Sequence, residues 1–200
     1  MRRPVEWLVC DFGLVLSLPP SARDRARLER ATGMSTAALW PAYWRDRLAY
    51  DRADLSSSAY WTAILGAPPA TRSLEALVRA DAALWSRPRR PALAAIECAA
   101  RVGRWRLAVL SNMPRDVADS IERLAWLGPF ERLYFSGRLG LVKPETAIYT
   151  HVLSDLACAP EAALFIDDRE ENVAAAVRVG LGGHVFRTAS ALRRFLAAAA

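Results

Sequence analysis

Five short runs along the chain are apolar throughout and end at turn residues. They are "VEWLVC" (5–10), "RLAVL" (106–110), "RLYFS" (132–136), "ALFI" (163–166) and "HVFR" (184–187). A strand covered by helices on both faces needs apolar residues on both, so these runs read as strands of a parallel sheet. Between the later runs the apolar period lengthens to that of a helix, over 114–127, 144–157 and 169–179, with a last helix at 189–199. Strand alternating with helix predicts an α/β fold, a doubly wound parallel sheet joined by right-handed crossovers.

One interval breaks the alternation. Residues 17–92 carry helical patterns only, about four of them, punctuated by prolines at 19–20, 68–69, 88 and 91. The first, "SARDRARLERATG", opens on a serine suited to an N-cap and closes at Gly33. The predicted organisation is therefore a core of residues 1–16 and 93–200 with a helical cap, 17–92, inserted after the first strand. Tyr43, Trp44, Arg45 and Arg47 in that insertion read more readily as a core stripe and a solvated face than as ligand-binding residues.

Composition adds little to the fold and trims the list of partners. The chain is 200 residues long and 53% hydrophobic, enough for one packed core with a modest insertion. No apolar run reaches the ~20 residues of a membrane span. The start, with Arg2 and Arg3 before an apolar stretch, imitates a signal peptide, but Glu6 and Asp11 interrupt the apolar part. Cys10, Cys98 and Cys158 show neither metal-ligand spacing nor a paired framework, which fits a reduced, cytoplasmic protein. The net charge of +6 comes from arginines scattered at helical spacing, with "RPRR" (87–90) the longest cluster, so no nucleic-acid partner is expected and no membrane partner either. Of 27 basic residues only Lys143 is a lysine, a compact ammonium where the chain otherwise uses planar forks.

In an open parallel sheet, ligands bind beyond the carboxyl ends of the strands, where the strand order switches. The residues just past the predicted strands are Asp11, then "SNMP" (111–114), then "KPE" (143–145), then "DDREEN" (167–172). Each alone is an ordinary turn, cap or charged helix start. Together they deliver a carboxylate, a hydroxyl, an ammonium and a carboxylate pair to one crevice.

This ordered set, carried by "CDFGLVLS", "LSNMP", "GLVKPETAIY" and "FIDDREENVAAAVRVG", resembles the four motifs of the haloacid dehalogenase-like hydrolase superfamily, in its subgroup with a helical cap after the first motif. "YDRADLSSSAYW" (50–61) is similar to a recurring cap segment of that subgroup. The resemblance implies a Rossmann-like core and a Mg²⁺-dependent phosphatase. Asp11 would be the nucleophile that forms an aspartyl-phosphate. Ser111, Asn112 through its backbone, and the amides opening the next helix would hold the phosphoryl oxygens. Lys143 would neutralise charge on the phosphate and the nucleophile. Asp11, the carbonyl of Gly13, Asp168 and the supporting Asp167 would hold the metal. The implied partner is a small phosphorylated metabolite.

The first motif departs from the family pattern. Its phosphatases place a second aspartate, the proton donor to the leaving group, where this chain has Gly13, and a glycine where it has Leu14. What is lost is general acid–base catalysis, typically worth about 10²–10⁴-fold. Three readings are open: a phosphatase for esters with good leaving groups such as sugar phosphates, a metal-independent 2-haloacid dehalogenase, or a catalytically weak binding protein.

Overall fold

A computed structural model describes residues 4–199 of the chain. Arg2, Arg3 and the outermost residues of the core limits 1–16 and 93–200 lie outside the described residues. Five parallel strands form one sheet in the order β3-β2-β1-β4-β5. They are β1 (Trp7–Cys10), β2 (Arg106–Ser111), β3 (Arg132–Phe135), β4 (Ala163–Asp167) and β5 (Gly182–Val185). The fold class is the α/β sheet expected. The order reverses at β1, whose Cys10 pairs with Val109 of β2 on one side and Ile166 of β4 on the other.

Helices α1 (Ala22–Thr32), α2 (Thr36–Arg45), α3 (Arg47–Arg52), α4 (Ser57–Leu65) and α5 (Thr71–Trp85) follow the first strand. After them come α6 (Arg90–Gly103), α7 (Arg115–Ile121), α8 (Ser136–Leu139), α9 (Thr146–Leu156), α10 (Glu170–Val179) and α11 (Ala189–Ala199). Alternate residues of β1 face opposite layers. Leu8 and Cys10 pack with residues of α6, α7 and α11, while Trp7 and Val9 pack with residues of α9 and α10. A third cluster, from Leu28, Leu39, Tyr43, Tyr60, Trp61 and Leu77 among others, belongs to α1–α5 alone.

Three expected boundaries move, each for a local reason. Asp46, at φ −112° and ψ 15°, divides the second expected helix of the insertion into α2 and α3. Leu124 is extended, so the 114–127 pattern becomes α7 followed by a short 3₁₀ turn, Ala125–Leu127. The last strand lies two residues upstream of the apolar run, on Gly182 and Gly183. A Cβ at Gly183 would come within 2.7 Å of Val173 and Val177, so α10 presses on the sheet where only glycine fits. Ser21 caps α1 as expected, in a reciprocal pair with Asp24, and Gly33 ends it left-handed. No described helix is long and apolar enough to cross a membrane.

Candidate active site

The carboxyl ends of β1, β2 and β4 deliver Asp11, Ser111 and Asp167, and the loop after α8 brings Lys143 beneath them. The Lys143 ammonium donates to Asp11 Oδ1 at 2.6 Å, to Asp167 Oδ2 at 2.7 Å and to the Leu110 carbonyl at 2.9 Å. Those are its three donors, and it is buried. Burial alone would lower its pKa, but Asp11 and Asp167 more than reverse that and hold it charged, above its ordinary value. The choice of lysine over arginine has a geometric reason: three partners converge on one nitrogen, where a planar fork would spread its donors.

Asp167 is fully enclosed. Besides Lys143 it accepts from Asn172 Nδ2 at 3.0 and 3.1 Å and from the Arg169 amide at 2.9 Å. Asp168, next along, is half-buried, its pKa raised by desolvation and by Asp167. Oxygens of Asp11, Asp167 and Asp168 lie within 4.8 Å of one another, a spacing that suits one small cation. Desolvation, helped by Asp167 and opposed by Lys143, pushes the Asp11 carboxyl up to about 7. Three carboxylates share one ammonium here, and the surplus is negative.

The second-motif residues take distinct parts. Ser111 is buried, and its hydroxyl has only a long 3.5 Å contact with the Asn112 carbonyl. Asn112 grips the backbone of Lys143, donating to its carbonyl at 2.9 Å and accepting from its amide at 2.8 Å. Its side chain thus positions the lysine, a part the sequence did not disclose. The helix start offers fewer amides than expected: Met113 N–H donates to Ser136 Oγ at 2.8 Å and Pro114 has none. Gly137 fits against that loop only without a side chain, since a Cβ would lie 2.5 Å from the Arg115 nitrogen.

Gly13 has an unremarkable φ of −65°, and a Cβ there would meet nothing nearer than Asp11 Oδ2 at 3.9 Å. The backbone therefore does not require glycine at 13. Leu14 is the strained residue, left-handed at φ 59°. That conformation costs a branched L-residue roughly 1–2 kcal/mol, and glycine would adopt it freely.

Above the carboxylates opens a cavity of about 410 Å³ that reaches the insertion. Besides Asp11, Gly13, Ser111, Asn112, Lys143 and Asp168, it is lined by residues with no part in the strand-end set. Leu14, Trp44, Leu48 and Trp85 give it an apolar side; Arg47 and Asp51 stand beside them. Arg47 Nε donates to Asp51 at 2.8 Å and Nη1 to Asp81 at 2.8 Å and to the Tyr43 hydroxyl. Desolvation, outweighing Arg47, raises the Asp51 carboxyl to about 6. Of the aromatic and basic group in α2 and α3, Tyr43 is indeed core and Arg45 pairs with Asp46 at the surface, whereas Trp44 and Arg47 line the cavity. Three side chains tie the insertion to the sheet side of the cavity. Tyr50 donates to Asp116 at 2.7 Å, Arg52 pairs with Glu145, and Ser136 Oγ donates to the Asp51 carbonyl at 2.6 Å.

A doubly wound sheet with acidic and lysine side chains at its switch point marks where a ligand binds, and comparison with known proteins identifies the class. The family described as haloacid dehalogenase-like hydrolase matches residues 27–180, and the chain belongs to it. A HAD family enzyme of Bacteroides thetaiotaomicron, solved in complex with magnesium and inorganic phosphate, superposes with a TM-score of 0.73 over 92% of this chain and 94% of that one, at 17% identity. The L-2-haloacid dehalogenase of Xanthobacter autotrophicus gives 0.65 over 90% and 76%, at 21% identity. Among curated proteins, flavin mononucleotide hydrolase 1 of Arabidopsis thaliana is 39% identical over 57 residues, 28% of this chain. Drimenol cyclase of Aspergillus calidoustus is 31% identical over 67 residues, 34% of this chain. The matched segments span 23% and 13% of those two proteins.

Proposed function

We propose that the protein is a Mg²⁺-dependent phosphatase that hydrolyses a small phosphomonoester, a phosphorylated metabolite, through an aspartyl-phosphate on Asp11. One observation carries this reading: the lysine pinned between two carboxylates with a third beside them, at the closed end of a cavity. A hard divalent cation balances that surplus charge, and the all-oxygen donor set fits magnesium. Asp11, Asp168 and the Gly13 carbonyl would hold it, with Asp167 steadying the arrangement through Lys143 and Asn172. When bound, the ion supplies charge neutralisation at the phosphoryl oxygens.

The remaining work falls to the chain. Lys143 occupies Asp11 Oδ1, which leaves Oδ2 as the attacking oxygen. The Ser111 hydroxyl is free to take a phosphoryl oxygen as its partner, and Asn112 keeps Lys143 in place. Residues 17–92 act as the cap that closes the cavity over the substrate. Dehalogenases share this fold, so the fold does not choose between the reactions; the carboxylate surplus favours phosphoryl transfer, because displacing a halide from carbon needs no cation. The three free thiols support a reducing compartment, the cytoplasm.

Phosphate release from p-nitrophenyl phosphate, with Mg²⁺ and with excess EDTA, tests the proposal. Turnover should require the metal. Full activity in EDTA, or halide release from 2-chloropropionate with no phosphate release, overturns it.

A further inference from the structure

We propose that the substrate is an aryl phosphomonoester, its aromatic leaving group seated against Trp44, Leu48 and Leu14. The proposal rests on Asp11 as phosphoryl acceptor and names the class of ester it receives. The first support is unspent apolar surface. Among the described residues four large hydrophobic side chains stand exposed, and two of them, Trp44 at 54% and Leu48 at 51%, line this one cavity. Scattered exposed hydrophobics need no explanation, but two facing one cavity above a charged floor mark a ligand surface.

The second support is that most of the polar atoms sharing the wall are already committed. Arg47 Nε and Nη1 are held by Asp51, Asp81 and Tyr43, Arg169 by Glu171, and Asn172 Nδ2 by Asp167, while Asn172 Oδ1 is buried without a partner. A sugar would bring several hydroxyls into contact with few available partners, and each unpaired hydroxyl costs free energy. A flat ring needs only edge and face contacts, which Trp44 and Trp85 supply; their own rings sit 6.5 Å apart at 74°.

The third support comes from positions 13 and 14. Gly13 brings no proton to the leaving oxygen, which favours an ester whose leaving group departs unprotonated. A phenol, of pKa about 10 like tyrosine, meets that condition, and an alkyl alcohol does not. Leu14 keeps a backbone conformation that glycine would hold without strain, and the side chain so retained lines the cavity. In the reaction, Asp11 Oδ2 forms a bond to phosphorus as the phosphorus–aryl oxygen bond breaks. The phenolate keeps the electron pair. Water then attacks the aspartyl-phosphate at phosphorus, releasing inorganic phosphate and restoring the carboxylate, and the proton this water sheds ends on the phenolate through solvent. The balance is one ester and one water to one phenol and one phosphate.

Calorimetric titration of the intact protein in Mg²⁺ with non-hydrolysable phosphonates tests this. 1-Naphthylmethylphosphonate should bind at least tenfold more tightly than methylphosphonate, and also more tightly than the phosphonate analogue of glucose 6-phosphate. Trp44→Ala should remove most of the aryl preference, and Leu48→Asn, at an exposed position, part of it. Equal affinities for the aryl and methyl compounds, tighter binding of the sugar analogue, or an aryl preference untouched by both variants overturns the proposal. Phosphate release is read separately. An aryl preference without Mg²⁺-dependent turnover upholds the pocket and removes the hydrolysis; turnover without the preference does the reverse.

Discussion

The molecule buries two clusters built to the same plan, one cation between two carboxylates. In the insertion, Arg47 lies between Asp51 and Asp81; at the strand ends, Lys143 lies between Asp11 and Asp167. The first lies largely under tyrosines, though Arg47 and Asp51 also reach the cavity wall. Tyr43 donates to Asp81 at 2.6 Å and Tyr60 to the Tyr43 carbonyl at 2.6 Å, and no third carboxylate joins among the described residues. The second opens on a cavity and adds Asp168, whose side chain stands apart from the lysine's bonds. A charge cluster that satisfies itself holds a fold together; one left in surplus holds a place for a ligand. A buried ion pair is weak evidence for stability, but a change that strands a buried charge with no partner is costly.

The largest expected effect sits at the second cluster. Asp11→Asn should lower kcat by roughly 10⁴-fold or more, as removal of a covalent nucleophile does. Denaturant melting should show the stability retained, because Asp11 is a desolvated carboxyl already pushed up to about 7. Wild-type turnover in this variant removes the nucleophile assignment. The mirror experiment is Arg47→Met, which strands Asp51 and Asp81 in the insertion. It should cost about 3–5 kcal/mol of stability by urea unfolding. A loss below about 1 kcal/mol would mean that the first cluster is not the structural one.

Smaller effects sharpen the contrast. A Cβ at Gly13 would meet nothing nearer than Asp11 Oδ2 at 3.9 Å, so the backbone admits Gly13→Asp. It should raise turnover of alkyl phosphates by about 10–10²-fold, part of what a general acid contributes, and that of p-nitrophenyl phosphate much less. A similar gain for both would mean that a proton already reaches the leaving group, with Asp51, raised to about 6 and lining the same cavity, as its source. The smallest effect is on metal affinity. Below about 7 the Asp11 carboxyl carries a proton that Mg²⁺ must displace, so affinity should fall about tenfold per pH unit from there down. Calorimetry at pH 6, 7 and 8 reads this, and a flat profile means that the Asp11 carboxyl is already ionised at pH 6.

The strands and three of the strand-end residues were legible in the sequence because both obey short-range rules: continuous apolar runs, and the polar residue, Asp11, Ser111 or Asp167, that follows three of them. Lys143 stood out as the only lysine before its three partners were known. What escaped was set by contact across the chain. Asn112 gripping Lys143 joins residues 31 apart, and nothing local announces it. Trp44, Arg47, Leu48 and Asp51 are spaced three, four and seven apart, one face of α2 and α3, but the mixture of apolar and charged residues imitates a surface. α6 begins at Arg90 with Pro91 in its first turn, so this proline opens a helix of the sheet layers rather than ending the insertion.

The single lysine has a practical consequence. A chain with one ε-amine, 3% exposed and triply hydrogen-bonded, offers amine-reactive reagents no side-chain target while folded. Acylation at Lys143 then becomes a clock for opening of the site, read by mass from one peptide, and any ligand that settles over Asp11 should slow it without a label having been engineered.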